Sequence, residues 1–214
     1  MFFIGIDPGL RGGICGIDYM NGVLWSIEMP VFISDPKTKK LDYDIPRIAA
    51  LLRACSPNLV CIENVHSMPG QGVSSTFLFG KGFGILLGII GTLGIERKLV
   101  TPRVWKAKLG VTADKNSSRE KDNELFPTCA LQWKLKKHDG LAEAALLAYY
   151  GSGLPDLDLL VPGDIWELYS IEVNQRGKKT STVSGRHHAR SSDPKDGSPR
   201  HRKNKRSNPS TSPS

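Results

Sequence analysis

The chain opens on Phe2-Phe3-Ile4-Gly5-Ile6, an apolar run with one carboxylate, Asp7, at its end. A run this short, closed by Pro8-Gly9, reads as a buried strand over 2–7. Two more strands are expected over 12–18 and 22–29, with Asn21-Gly22 as the hairpin turn between them. Residues 30–43 are mixed and polar, and read as a loop. Ile45, Ile48, Leu51 and Leu52 recur at helical spacing and predict a helix over 44–55. "NLVCIENVH", 58–66, repeats the opening theme, a short apolar strand that ends in a carboxylate, here Glu63. Residues 73–94 predict a helix despite many glycines. A strand over 96–101 precedes Pro102, which suits a helix start. Further helices are expected over 118–126 and 139–150. Three adjacent strands, then strands that alternate with helices, predict an α/β protein with a mixed central sheet and helices packed on it. No internal repeat is visible.

The two strand-ending carboxylates raise a chemical question, because burying an ionised carboxylate without a partner is costly. Asp7-Pro8-Gly9 is ordinary turn chemistry, and it equally suits a metal or phosphate site at the strand's end. A second acidic pair lies in "KLKKHDGLAEAALLAYYG", 134–151, where Asp139 and Glu143 are four apart and share a helix face. Asp139 also suits an N-cap, and Glu143 the positive end of a helix. If the strands of Asp7 and Glu63 are neighbours, four carboxylates converge. Such a cluster raises its own pKa values unless cations fill it. Hard oxygen donors without a Cys/His framework suit Mg²⁺ or Mn²⁺. Two such ions about 3.5–4 Å apart are the usual apparatus of in-line phosphodiester hydrolysis.

Gly80, Gly84 and Gly88 are four apart and fall on one face of the helix over 73–94. A smooth face of this kind admits a close backbone, either the protein's own sheet or a second helix in a dimer.

Composition divides the chain. Residues 174–214 hold 11 Lys/Arg, 2 Asp and almost no apolar residue, a net +9. No core forms from such a segment, so it reads as a disordered basic tail. The first 173 residues carry 18 Lys/Arg and 19 Asp/Glu, so the basic character of the whole belongs to the tail. Within that body, residues 97–137 still hold 11 Lys/Arg against 4 Asp/Glu. A basic strip and a basic tail suit a polyanion, most simply nucleic acid. Cys15, Cys55, Cys61 and Cys129 show no metal-binding spacing and read as reduced core thiols. Met1 leads directly into a strand, so no signal or transit peptide is expected and a cytoplasmic, DNA-associated location is. The longest uncharged apolar run, Gly82 to Ile95, is 14 residues, short for a membrane span, and no membrane partner is expected.

Five stretches now fall into a known order. "IGIDPGLRGGICGID", "VCIENVH", "STFLFGKGFGILLGIIG", "VTPRVWKAKLGV" and "HDGLAEAALLAYYG" resemble, in register, the motifs of RuvC-type Holliday-junction resolvases. The "PxxWK" element and the glycine-aromatic helix look closest to the chloroplast and phage-like branch. The resemblance covers roughly 1–151. It implies a ribonuclease H-like fold with helices on both faces of the sheet, a homodimer, and Mg²⁺-dependent cleavage of symmetric strands in a four-way DNA junction, with Mn²⁺ as a substitute. By motif position it assigns Asp7, Glu63, Asp139 and Glu143 as metal ligands and catalytic carboxylates. Bacterial members close with two aspartates three apart, whereas this pair is Asp and Glu at four, and His138 stands beside them as a substitute for Asp139. The resemblance places Lys115 near the scissile phosphate, with Lys106 as a similar candidate. Lys108, Arg119 and Lys81 join the DNA-contacting set, and Phe77 and Phe79 are candidates for stacking on an unpaired base. The organisation expected is a nuclease domain over 1–151, an extension over 152–173 packed on it, and the tail over 174–214.

Two other classes fit parts of the pattern. A non-catalytic DNA-binding protein of the same fold would keep the basic strip without needing four carboxylates. An actin- or Hsp70-type phosphotransferase also opens on a strand with Asp and a glycine turn, but it needs two such domains, for which the body is too short.

Overall fold

β1 (Phe2–Asp7) lies at the centre of the sheet. It pairs antiparallel with β2 (Gly13–Asp18), which pairs antiparallel with β3 (Val23–Glu28). Gly22 takes a φ of 64° in the turn between them, the backbone an Asn-Gly hairpin requires. On its other edge β1 runs parallel to β6 (Leu59–Glu63), and β6 runs parallel to β7 (Arg97–Val100). This antiparallel meander, extended by parallel crossovers, makes the mixed central sheet that the sequence predicts. The structure, a computed structural model, describes residues 1–66, 70, 72–112, 114–154 and 161–163. The tail over 174–214 and most of the extension over 152–173 lie outside these residues. Within the extension, β8 (Val161–Pro162) pairs parallel with β3 at the sheet's outer edge.

Side-chain alternation along the strands sorts the core into two layers. Ile4, Ile6, Ile14, Val60 and Ile62 pack on α1 (Ile45–Cys55) and α2 (Val73–Thr92) through Leu51, Leu52, Leu86 and Ile90. Cys15, Ile17, Leu24 and Cys61 face the opposite layer, led by α5 (Asp139–Ser152). By the same alternation Asp7 shares the α5 face with Gly5, and Glu63 shares it with Cys61. Helix α5 comes close because it is thin there, with Ala142, Ala144, Ala145 and Ala148 fully buried. A Cβ added at Gly5 would stand 2.0 Å from the carbonyl oxygen of Ala144, so only glycine fits under the helix.

The region read as a loop, 30–43, is a β-hairpin of β4 (Val31–Asp35) and β5 (Lys40–Tyr43). Asp35 builds its turn, accepting from the Lys37 amide at 2.9 Å and the Thr38 hydroxyl at 2.7 Å. Phe32 and Ile33 are exposed, so the hairpin has no buried face to write an alternating pattern. Its end matters more: Tyr43 is buried and its hydroxyl donates to the Pro8 carbonyl at 3.0 Å, pinning the turn that follows Asp7. α3 (Pro102–Leu109) follows β7, and α4 (Lys115–Leu125) starts three residues before the predicted point. Asp114 sets that start by accepting from the Asn116 amide at 2.7 Å. Two 3₁₀ turns, Pro127–Trp133 and Lys136–His138, lead from α4 to α5 and bury Cys129 and Trp133.

Gly80, Gly84 and Gly88 do not face the sheet. A Cβ at any of them would have nothing within 4 Å, whereas Gly82, on the opposite side, packs on the Tyr43 ring. The first 11 residues of the 14-residue uncharged run form the C-terminal part of this 20-residue helix, which is long and apolar enough, by length and composition, to cross a membrane. Its inner side, Leu86, Ile89 and Ile90, is core.

Candidate metal centre

β1 and β6 are parallel, with Ile6 opposite Ile62, so Asp7 and Glu63 leave the sheet side by side at the ends of neighbouring strands. Glu143 reaches the same point from the first turns of α5. Carboxylate oxygens of Asp7, Glu63 and Glu143 lie within 4.8 Å of one another. Close approach of α5 permits this, and Gly140 is the contact: a Cβ there would stand 2.6 Å from the Gly12 Cα and 2.9 Å from an Asp7 oxygen.

Three acidic groups this close oppose one another's ionisation. Burial, then the charges of Glu143 and Glu63, push Asp7 up to about 8. Burial also raises Glu63, against a hydrogen bond from Trp105 that lowers it. That bond runs from Trp105 Nε1 to Glu63 Oε1 at 2.9 Å. The next residue, Lys106, sets its Nζ 2.7 Å from Glu143 Oε1. Ser118, buried on α4, donates to the same oxygen at 3.3 Å. Two neighbouring helices therefore hold the carboxylates that the strands and α5 bring together. The donor set fits a hard divalent cation: three carboxylates of two parallel strands and a helix, with no thiol or imidazole among them.

The structure separates the second acidic pair. Glu143 joins Asp7 and Glu63, whereas Asp139 lies 3.2 Å from Arg119 Nε, and neither it nor His138 belongs to the close cluster. One helical turn along α5 divides them: Glu143 is held by Lys106 of α3 and Ser118 of α4, while Asp139 pairs with Arg119 of α4. The basic candidates are mostly engaged: Lys81 pairs with Asp42, Lys106 with Glu143 and Arg119 with Asp139, while Lys108 lies over the Tyr150 ring at 5.5 Å. Lys115 is the first residue of α4, and its side chain lies outside the described residues. Phe77 is 71% exposed near the start of α2. Phe79 lines a cavity of about 550 Å³ with Asn64, His66 and Arg103, directly beyond Glu63.

Sequence reasoning missed the supports. Trp105 is fully buried and grips Glu63, a role its place in "PxxWK" did not disclose. Asp122 is fully buried behind the site, neither oxygen has a hydrogen-bond partner, and burial followed by the charge of Glu143 raises it well above the usual carboxylate range. "KNSSREKDNEL" reads as a solvated helix, and the one signal was that Ser118 and Asp122 are four apart and share a face.

No protein-family model matches the chain, and neither does any curated protein. Solved structures do. A RuvC of Thermus thermophilus in complex with a Holliday junction substrate aligns with a TM-score of 0.47 and 19% identity, over 69% of this chain and 90% of that one. Another Thermus thermophilus RuvC structure aligns with a TM-score of 0.45 and 21% identity, over 70% of this chain and 95% of that one.

Proposed function

We propose that this protein is a divalent-metal-dependent endonuclease that acts on four-way DNA junctions as a homodimer. One observation carries the reading: Asp7, Glu63 and Glu143 converge at the ends of two parallel strands, with their oxygens within 4.8 Å. No packing purpose requires that, and repulsion among the three opposes it. The motifs shared in order with RuvC-type resolvases favour a junction over other phosphodiester substrates.

Asp7, Glu63 and Glu143 would hold Mg²⁺ or Mn²⁺, which supplies an activated water and stabilises the leaving oxygen when bound. Trp105 orients Glu63, leaving its other oxygen free. Asp139 joins the ligand set only by releasing Arg119, and His138 is the alternative beside it. Lys106, Lys108, Lys115 and Arg119, on α3 and α4, with Lys81 on α2, supply positive charge for the phosphate backbone. Phe77 and Phe79 offer rings to a base unpaired at the junction centre. The open glycine face of α2 is the surface for the second copy, whose centre would cut the symmetric strand.

The test incubates the full chain with a synthetic four-way junction and a linear duplex, in Mg²⁺ or EDTA. Paired cuts in the junction are expected in Mg²⁺ alone. Asp7→Asn and Glu63→Gln are expected to lose cleavage and keep junction binding. Full cleavage by either variant would overturn the assignment.

A further inference from the structure

Lys106 is placed as no ordinary DNA-contacting lysine would be. Its ammonium is turned inward, 2.7 Å from Glu143 Oε1, with about a quarter of the side chain exposed. Its backbone neighbour, Trp105, already fixes Glu63, so α3 touches two of the three clustered carboxylates with consecutive residues. The Lys106 charge also acts on Asp7 and Glu63, favouring their ionised forms. One cation thus serves all three acidic groups. A compact ammonium on a flexible stem is suited to this, because it can leave without moving the backbone.

We infer that Lys106 is a built-in counter-cation of the carboxylate centre, which a divalent ion must displace from Glu143 before the centre is complete. The inference rests on the metal-centre reading above. It follows from charge balance: the single negative charge of the Glu143 carboxylate cannot be given in full to a metal and to an ammonium at once. Metal-free, the lysine limits repulsion among Asp7, Glu63 and Glu143 and keeps Glu143 in place. Loaded, the centre no longer needs it, and the ammonium is released beside the site, where a phosphate is its natural partner. DNA-contacting charge is in this way made conditional on metal.

The test needs neither DNA nor cleavage. Mn²⁺ alone is titrated into the metal-stripped full chain by calorimetry, comparing wild type, Lys106→Met and Lys98→Met. Lys98, on β7, lies over the Tyr150 ring at 4.6 Å and away from the carboxylates, so its removal controls for general charge. Lys106→Met is expected to bind Mn²⁺ about tenfold more tightly, the effect of removing one competing ion pair, with Lys98→Met within about twofold of wild type. In EDTA, Lys106→Met is expected to unfold at a lower temperature than wild type, with Mn²⁺ closing the gap. If the methionine variant fails to fold, Lys106→Gln takes its place. Equal or weaker Mn²⁺ binding by the Lys106 variant, beside a wild type that binds, overturns the counter-cation role and leaves the metal centre standing. A wild type that binds no Mn²⁺ overturns the metal centre itself.

Discussion

Asp7 sets the behaviour of the molecule with pH. Its carboxyl holds a proton up to about 8 in the folded chain, against an ordinary value of 3.8. Between those values the folded state carries a proton that the unfolded state has lost, so raising the pH favours unfolding. Glu63 and Asp122 are raised too and act in the same direction. In EDTA, the unfolding temperature is therefore expected to fall between about pH 5 and 8. Mg²⁺ favours the ionised carboxylates and is expected to flatten that fall, so thermal melts at several pH values with and without metal check both parts. Trp105 gives a second expectation. It is a support behind a ligand, and loss of such supports costs about 10–100-fold in metal affinity or activity. Trp105→Phe is expected to lose that much Mg²⁺ affinity with its fold intact, read by calorimetry and circular dichroism. At this scale the sequence was legible where carboxylates interrupt apolar runs, as at Asp7 and Glu63. It was opaque where polar residues are drawn inward: beyond its spacing from Ser118, nothing distinguishes the buried Asp122 from surface charge, and nothing marks the half-buried Arg119–Asp139 pair.

Elements were legible where they have a buried face. β1, β2, β3 and β6 have packed side chains on both sides, and their apolar runs mark them within a residue or so. The β4–β5 hairpin was missed because its strands are largely exposed, and the 3₁₀ turns before α5 because they have no sustained period. α2 was legible as a helix, but its orientation was not, since glycines at four-residue spacing suit a sheet and a partner helix equally. The structure turns Gly80, Gly84 and Gly88 outward, which makes a clean test possible. In the single chain a side chain at Gly84 meets nothing, and replacing glycine removes roughly 0.5–1 kcal/mol of helix penalty. Gly84→Leu is expected to keep the fold and the Mg²⁺ site while driving the helices of a dimer apart. Light scattering with the junction assay checks it: wild type dimeric with paired cuts, the variant monomeric with single cuts. A wild type that stays monomeric at micromolar concentration with junction present contradicts the dimer.

Charge is distributed over the whole molecule in a way that separates chemistry from attraction. The carboxylate centre occupies one end of the sheet, while the net +9 of residues 174–214 lies downstream of every clustered ligand. Under the proposed function, a segment with this charge would condense on phosphates and release counterions without regard to DNA geometry. Six to ten phosphate contacts lose about 10³–10⁵ in affinity between 50 and 200 mM salt. A chain ending at Val173 should give up the tail's share of that slope. Its binding to linear duplex is expected to weaken at least as much as its binding to the junction, because the tail reads charge density and not shape. Cleavage of fully bound junction is expected to continue, since Asp7, Glu63, Asp139 and Glu143 all remain. Titrations of both chains on both DNAs at several salt concentrations check this. An unchanged salt slope, or a loss of junction preference on truncation, would show that the tail contributes something more specific than diffuse positive charge.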